Sequence, residues 1–250
     1  MSAELLIAYT RSGGAPPATL ESLRVHADGS ARAIVTNAWP EGAPQDEAGL
    51  YETRLGDDVL AVLRALVADP RLRDLPAELG EVRADSGQTS LSLAGEGKTW
   101  GAFADRPAPL QAAEARLREL LAEVRRHPRA AVRLELAPRG EGELELAVTS
   151  TGSEPVRSSL LVAGHPPPRV ARVDGELPRP VPLRLYRDAP ELELAETLDG
   201  EPLAAGVTRR VIARAPEGAG ALLAFAPITI ELPANGDLVA LDGFLVAGPA

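Results

Sequence analysis

Several groups of residues in this chain are of the types that chemistry uses, and their spacing decides what each can do. Residues 95–99, Gly-Glu-Gly-Lys-Thr, carry the ending of a phosphate-cradling loop. That loop needs a further glycine five positions before Gly97, where Ser92 stands, and it must lead from a strand into a helix. Residues 100–103 continue as strand instead, so the stretch reads as a hairpin turn. The three histidines, His26, His127 and His165, have no spacing that sets two of them on one helix face or one strand, and no cysteine is present. A metal site of the usual convergent kind is therefore not expected. Glu143 with Glu145, and Glu191 with Glu193, each share a strand face as an acid/base pair would. The leucines between them point the other way, which makes solvated strand faces the better reading. Ser12 precedes Gly13 and Gly14 but lacks the glycine two residues earlier that a nucleophile elbow carries. The expectation is no catalytic residue, no metal and no cofactor.

The elements that must hold such residues follow from hydrophobic periodicity. Strands are expected at 4–10, 20–27 and 31–36, the last two joined in a hairpin at Asp28-Gly29. Residues 39–49, beginning at Trp39, are polar and rich in Pro and Gly and read as a surface loop suited to contact. From Asp57 the period becomes helical, with Val59, Leu63, Leu66 and Val67 on one face, Asp57 or Asp58 as cap and Asp69-Pro70 as stop. Short strands near 80–84, 88–94 and 99–103 precede a helix over about 109–126, whose stripe is Leu110, Ala113, Leu117, Leu120, Leu121 and Val124. The expected first domain, residues 1–128, is thus an α+β unit with a mostly antiparallel sheet and two helices.

After Pro128 no helical period recurs. Strand candidates fall at 133–137, 143–149, 157–162, 181–186, 191–195, 207–214, 221–225, 228–232 and 238–246, with tight turns at Asn235-Gly236 and Asp242-Gly243. This spacing predicts an all-β, immunoglobulin-like sandwich over residues 129–250. Prolines 166–168 and the 178–182 segment read as stiff connections between strands.

Composition narrows the partner. A net charge of −10 spread over both halves, with Lys98 the single lysine among 26 cations, offers no basic patch for nucleic acid or anionic membrane. Hydrophobic residues make up 45%, enough for real cores, but aromatics only 3%, so aliphatic packing is expected to dominate. The first residues lack a basic, long apolar leader and no stretch nears about 20 apolar residues, so a cytoplasmic protein is expected.

Where Arg11, Ser12, Gly13 and Gly14 close the first strand, and again from Leu91 to Val124, the first half resembles emfourin-like proteins, small bacterial inhibitors of thermolysin-like metallopeptidases. The second half, at Thr149 to Val156, looks like bacterial immunoglobulin-like modules. The resemblance implies a binding role for Arg11, Ser12, Gly13 and Gly14, to which the exposed-loop reading adds Trp39. The function expected is thus a non-catalytic protein-binding protein, a peptidase inhibitor or adaptor, with a protein partner. The alternatives are a structural or assembly component using sandwich edges, and an enzyme whose site spacing conceals. Oligomeric state is left open.

Overall fold

The computed structural model describes residues 4–13, 20–35, 47–81, 87–140, 143–156, 158–159, 169–173, 202–214, 221–231 and 238–248. Among them the protein is β-rich, with fourteen strands and three helices. It forms two compact units. The described parts of residues 1–35 and Leu50–Pro128 make the first; residues 47–49 and those after Pro128 make the second.

The first unit runs β1 (Leu5–Ser12), β2 (Leu20–His26), β3 (Ser30–Val35), β4 (Glu47–Arg54), α1 (Asp57–Ala68), α2 (Pro70–Arg73), β5 (Glu78–Leu79), β6 (Gln88–Leu93), β7 (Glu96–Gly101) and α3 (Ala108–Val124). Its strands lie in the order β4-β3-β2-β1-β6-β7-β5, with β5 parallel to β7. The β2-β3 hairpin turns at Asp28-Gly29. Gly29 adopts φ 88°, and the Asp28 carboxylate accepts from the Ser30 amide and hydroxyl, which holds its pKa below the usual aspartate value.

Register stacks the buried face in rows. Ile7 lies between Val25 and Leu93, Tyr9 between Leu23 and Leu91, and Arg11 between Glu21 and Thr89. The stripe expected on α3 is buried in full, from Leu110 to Val124. The largest fully buried side chains are rings, Trp100, Tyr9 and Tyr51. The core is therefore less purely aliphatic than composition suggests: the few aromatics are concentrated where they fill most volume.

Residues 47–49 are strand, not loop. β4 escapes a period-2 reading because Ala48, Gly49, Leu50 and Tyr51 are buried consecutively. The cap of α1 is Gly56, without a side-chain hydrogen bond, and Asp57 and Asp58 lie within the first turn, where the helix dipole favours negative charge. Asp69 instead caps α2, accepting from the Arg71 amide.

The second unit contains β8 (Pro128–Gly140, entered after its first residue), β9 (Glu143–Ser150), β10 (Ser158–Ser159), β11 (Arg169–Val173), β12 (Thr208–Arg214), β13 (Ala221–Glu231) and β14 (Leu238–Gly248). β9 pairs antiparallel with β8 and β12. In a second sheet β14 follows β13 along its length, and β11 and β10 succeed one another along the other edge of β13. The two strands expected at 221–225 and 228–232 are one. Pro227 sits inside it at a register shift, opposite Asp242-Gly243, so Asp242-Gly243 forms a bulge within β14 and not a turn. A proline lacks the N–H a regular ladder needs, and a bulge removes that need. β11 follows the proline run at 166–168, which masked it as a connection. The candidates at 181–186 and 191–195 and the turn at Asn235-Gly236 lie outside the described residues.

The start of β8 is clasped by two glycines. A Cβ on Gly49 would fall 2.3 Å from the Ala130 carbonyl oxygen, and one on Gly152 2.4 Å from that of Arg129. The contact is reinforced by Thr151 N–H to Ala131 O and Glu154 N–H to Arg129 O, by the Arg129–Glu154 ion pair and by Glu47, which accepts from Arg133 and Thr151. Gly49→Ala and Gly152→Ala should each destabilise the second unit by about 3 kcal/mol, since backbone must move to admit the methyl. Gly95→Ala, at φ 93° but with open space around it, should cost only about 1 kcal/mol. Urea unfolding of the three variants checks the contrast.

Candidate functional site

Along the buried face of the first unit's sheet, the apolar rows give way to a polar one. Arg11 and Glu21 are cross-strand partners, and their side chains form an ion pair at 3.2 Å. Thr89 completes the row from β6, and Trp100 lies opposite Thr89 on β7. Beside this row α3 brings down Glu114, whose side chain is only 6% exposed. Its carboxylate accepts from the Tyr9 hydroxyl at 3.3 Å and from the Arg106 guanidinium. A buried carboxylate demands such partners, because an unpaired one carries a large desolvation penalty.

The electrostatics follow from burial. The Tyr9 phenol is pushed well above its ordinary value near 10.0, first by desolvation and then by the Glu114 charge, while Arg11 and Arg118 partly oppose the shift. Tyr9 therefore serves as a neutral hydrogen-bond donor. Glu21 is engaged by Arg11, and Glu114 by Arg106 and Tyr9, so each carboxylate is tied to a guanidinium that neutralises it. What the cluster does is fix α3, β1 and the connection before α3 in one arrangement.

That arrangement shapes one end of the sheet. β1 ends at Ser12, which pairs with Leu20 at the start of β2 and with Gln88 at the start of β6. Gln88 pairs in turn with Gly101 at the end of β7. The chain then turns, with Ala104 N–H donating to Gly101 O at 3.2 Å, and this turn carries Phe103 at 86% exposure. Two strand spacings, about 10 Å, separate the ends of β1 and β7.

Of the residues expected to bind, Arg11, Ser12 and Gly13 lie at this end. The Arg11 guanidinium is half-buried on Glu21, and the exposed Ser12 hydroxyl donates to Gln88 O. Gly14 and Trp39 lie outside the described residues. Phe103 was not singled out from the sequence; its place in an expected strand concealed that it caps a turn. Glu114 was hidden as well, though a glutamate between Ala113 and Leu117, close to the apolar stripe, is a legible sign of a buried partner.

The other candidates resolve as follows. The hairpin turn is at Ala94-Gly95, both at positive φ, as a two-residue turn between Leu93 and Glu96 requires. Lys98 and Thr99 are in β7, and Lys98, only 8% exposed, donates from its ammonium to the carbonyls of Arg73, the last residue of α2, and of Leu75 just beyond it. Glu145 is ion-paired with Arg210 on β12, while Leu144 and Leu146 beside it are buried. Glu191, Glu193, His165 and the proline runs lie outside the described residues. Among the described residues no group of three His, Cys, Asp or Glu is placed to hold a metal, and no helix is long and apolar enough to cross a membrane. No protein-family model matches the chain, and no curated protein matches it significantly.

Glu114→Ala should destabilise the first unit by about 2–3 kcal/mol, because it strands both the phenol and the guanidinium, whereas Tyr9→Phe should cost about 1 kcal/mol. The pH dependence has a defined sign. The folded phenol holds its proton where the unfolded one loses it, so the contribution of Tyr9 is complete below pH 10.0 and declines as pH rises beyond it. Denaturant titrations at increasing alkaline pH should show a shallower fall in stability for Tyr9→Phe than for the native chain.

Proposed function

We propose that this chain is a non-catalytic protein-binding protein, and that it binds and inhibits a thermolysin-like metallopeptidase through the Ser12–Gln88–Phe103 end of the first unit. The observation that carries the reading is Phe103, a large ring left 86% exposed on a hydrogen-bonded turn in a chain with only three phenylalanines. Aromatic side chains held on rigid supports make effective interface anchors, since little conformational freedom is lost when they are buried. The resemblance of Arg11, Ser12 and Gly13 to the emfourin-like turn supports the same end of the sheet. The acidic balance of the chain suits a basic or neutral protein surface. The engagement of Glu21, Glu114 and Glu145 in ion pairs favours binding over catalysis, because a general acid or base must be free to exchange its proton.

For the fold, we read the first unit as α+β and the second as immunoglobulin-like. Strands β8, β9 and β12 share one sheet, and β10, β13 and β14 share the other, with the fourth strand, β11, following β10 along the same edge of β13. That division supports the reading, since in the immunoglobulin fold the first, second and fifth strands lie together and the third, sixth and seventh form the opposing sheet. Such modules commonly serve as spacers or second binding surfaces, which suits a two-unit inhibitor or adaptor.

The test is titration of a thermolysin-like metallopeptidase with the purified chain, following hydrolysis of a peptide substrate. Stoichiometric inhibition is expected, weakened roughly 10- to 100-fold by Phe103→Ala, as for an interface anchor. Undiminished hydrolysis with the chain in excess overturns the inhibitor assignment. If affinity capture from the native lysate then also returns the chain alone, the protein-binding reading falls with it.

A further inference from the structure

The strands that end the sheets differ sharply in how they protect their outer edges. β5 has two residues, and β10 two. β11 carries Arg169 and Arg172 in five residues, and β12 carries Arg209, Arg210 and Arg214 in seven. Short length and charge are the usual devices that stop an open edge from recruiting another strand. β14 has neither. It is eleven residues long, pairs with β13 from Leu238 to Gly248, and has no strand on its other edge among the described residues. Asp242 is its single charge, between apolar stretches at 238–241 and 244–247.

We propose that β14 pairs with β14 of a second copy of this chain, antiparallel about a two-fold axis, joining two four-stranded sheets into one of eight. The proposal is independent of the peptidase reading. The sequence of the strand favours its own copy over an unrelated partner. Its two halves nearly repeat, Leu-Val-Ala-Leu at 238–241 and Leu-Val-Ala-Gly at 245–248. Antiparallel pairing through the middle sets each half of one copy against the opposite half of the other. Asp242 then pairs directly with Phe244, and its own counterpart is a diagonal neighbour rather than a direct partner. The bulge at Asp242-Gly243 falls at the axis and leaves both regular halves free to form ladder hydrogen bonds. Two chains each carrying a net charge of −10 repel over most of their surfaces, so a nearly uncharged strip is the natural place for them to join.

The first experiment is light scattering of the full chain over a dilution series, with amide hydrogen exchange measured at its two extremes. Twice the chain mass of 26.2 kDa is expected at high concentration, with added protection confined to amides of 238–248. A monomer throughout, or a dimer whose added protection lies elsewhere, overturns the proposal. Leu245→Glu and Val246→Glu occupy successive strand positions, so the pair tests both faces of the sheet. Whichever retains a cooperative unfolding transition should dissociate at least about tenfold more readily, because a carboxylate has to be desolvated at the new ladder. A folded variant that dimerises as well as the native chain also overturns it.

Discussion

Glu114 is the constraint on which the first unit turns. An apolar stripe such as that of α3 supplies adhesion, but leucines on a helix can slide along a sheet at modest cost. A buried carboxylate cannot. It must meet a donor, and here it meets the Tyr9 phenol from β1 and the Arg106 guanidinium from the connection ahead of the helix. Those two contacts select one register of α3 over the sheet. By anchoring residue 106 they also limit how far the 101–104 turn can move, and Phe103 is displayed accordingly.

The same logic explains where a surface of use can form. Successive rows on the buried face pass from Ile7 to Tyr9 to Arg11, and their neighbours pass from Val25 to Leu23 to Glu21. At the third row polar groups take over on β2, β1 and β6, while Val35 and Trp100 at either side of them remain buried. Residues placed there rest on a packed foundation without being absorbed into it. In the second unit the corresponding role of fixing backbone belongs to sterics. Gly49 and Gly152 let three chain segments approach at distances no side chain allows, and Glu47 and Glu154 then lock the approach with charge.

Much of this was legible in the residues, and the failures have physical causes. The α3 stripe, the Asp28-Gly29 hairpin and strands β1 to β3 follow from periodicity and turn chemistry because one face of each element is buried and the other is not. β4 breaks that premise: with Ala48, Gly49, Leu50 and Tyr51 all buried, alternation vanishes and only the Pro/Gly content ahead of it remains to be read. The sequence divides β13 at Pro227 because a proline normally ends a strand, and makes Asp242-Gly243 a turn because that dipeptide normally forms one. The two exceptions are one feature, a bulge in which each excuses the other. The end of the sheet proposed for binding was half visible, through Arg11, Ser12 and Gly13. Phe103 was not, since exposure of a ring depends on a turn that the run from Trp100 to Phe103 does not announce.

Pre-organisation links these elements to the binding reading. A loop that orders only on contact loses conformational freedom at that moment, and the loss subtracts from affinity. The Phe103 turn is closed by its own backbone hydrogen bond, follows directly from β7, and leads into a helix held by Glu114. Its ordering is thus completed during folding, with stability drawn from the buried face of the sheet. The Arg106–Glu114 ion pair contributes through its rigidity, by fixing the chain three residues beyond the ring.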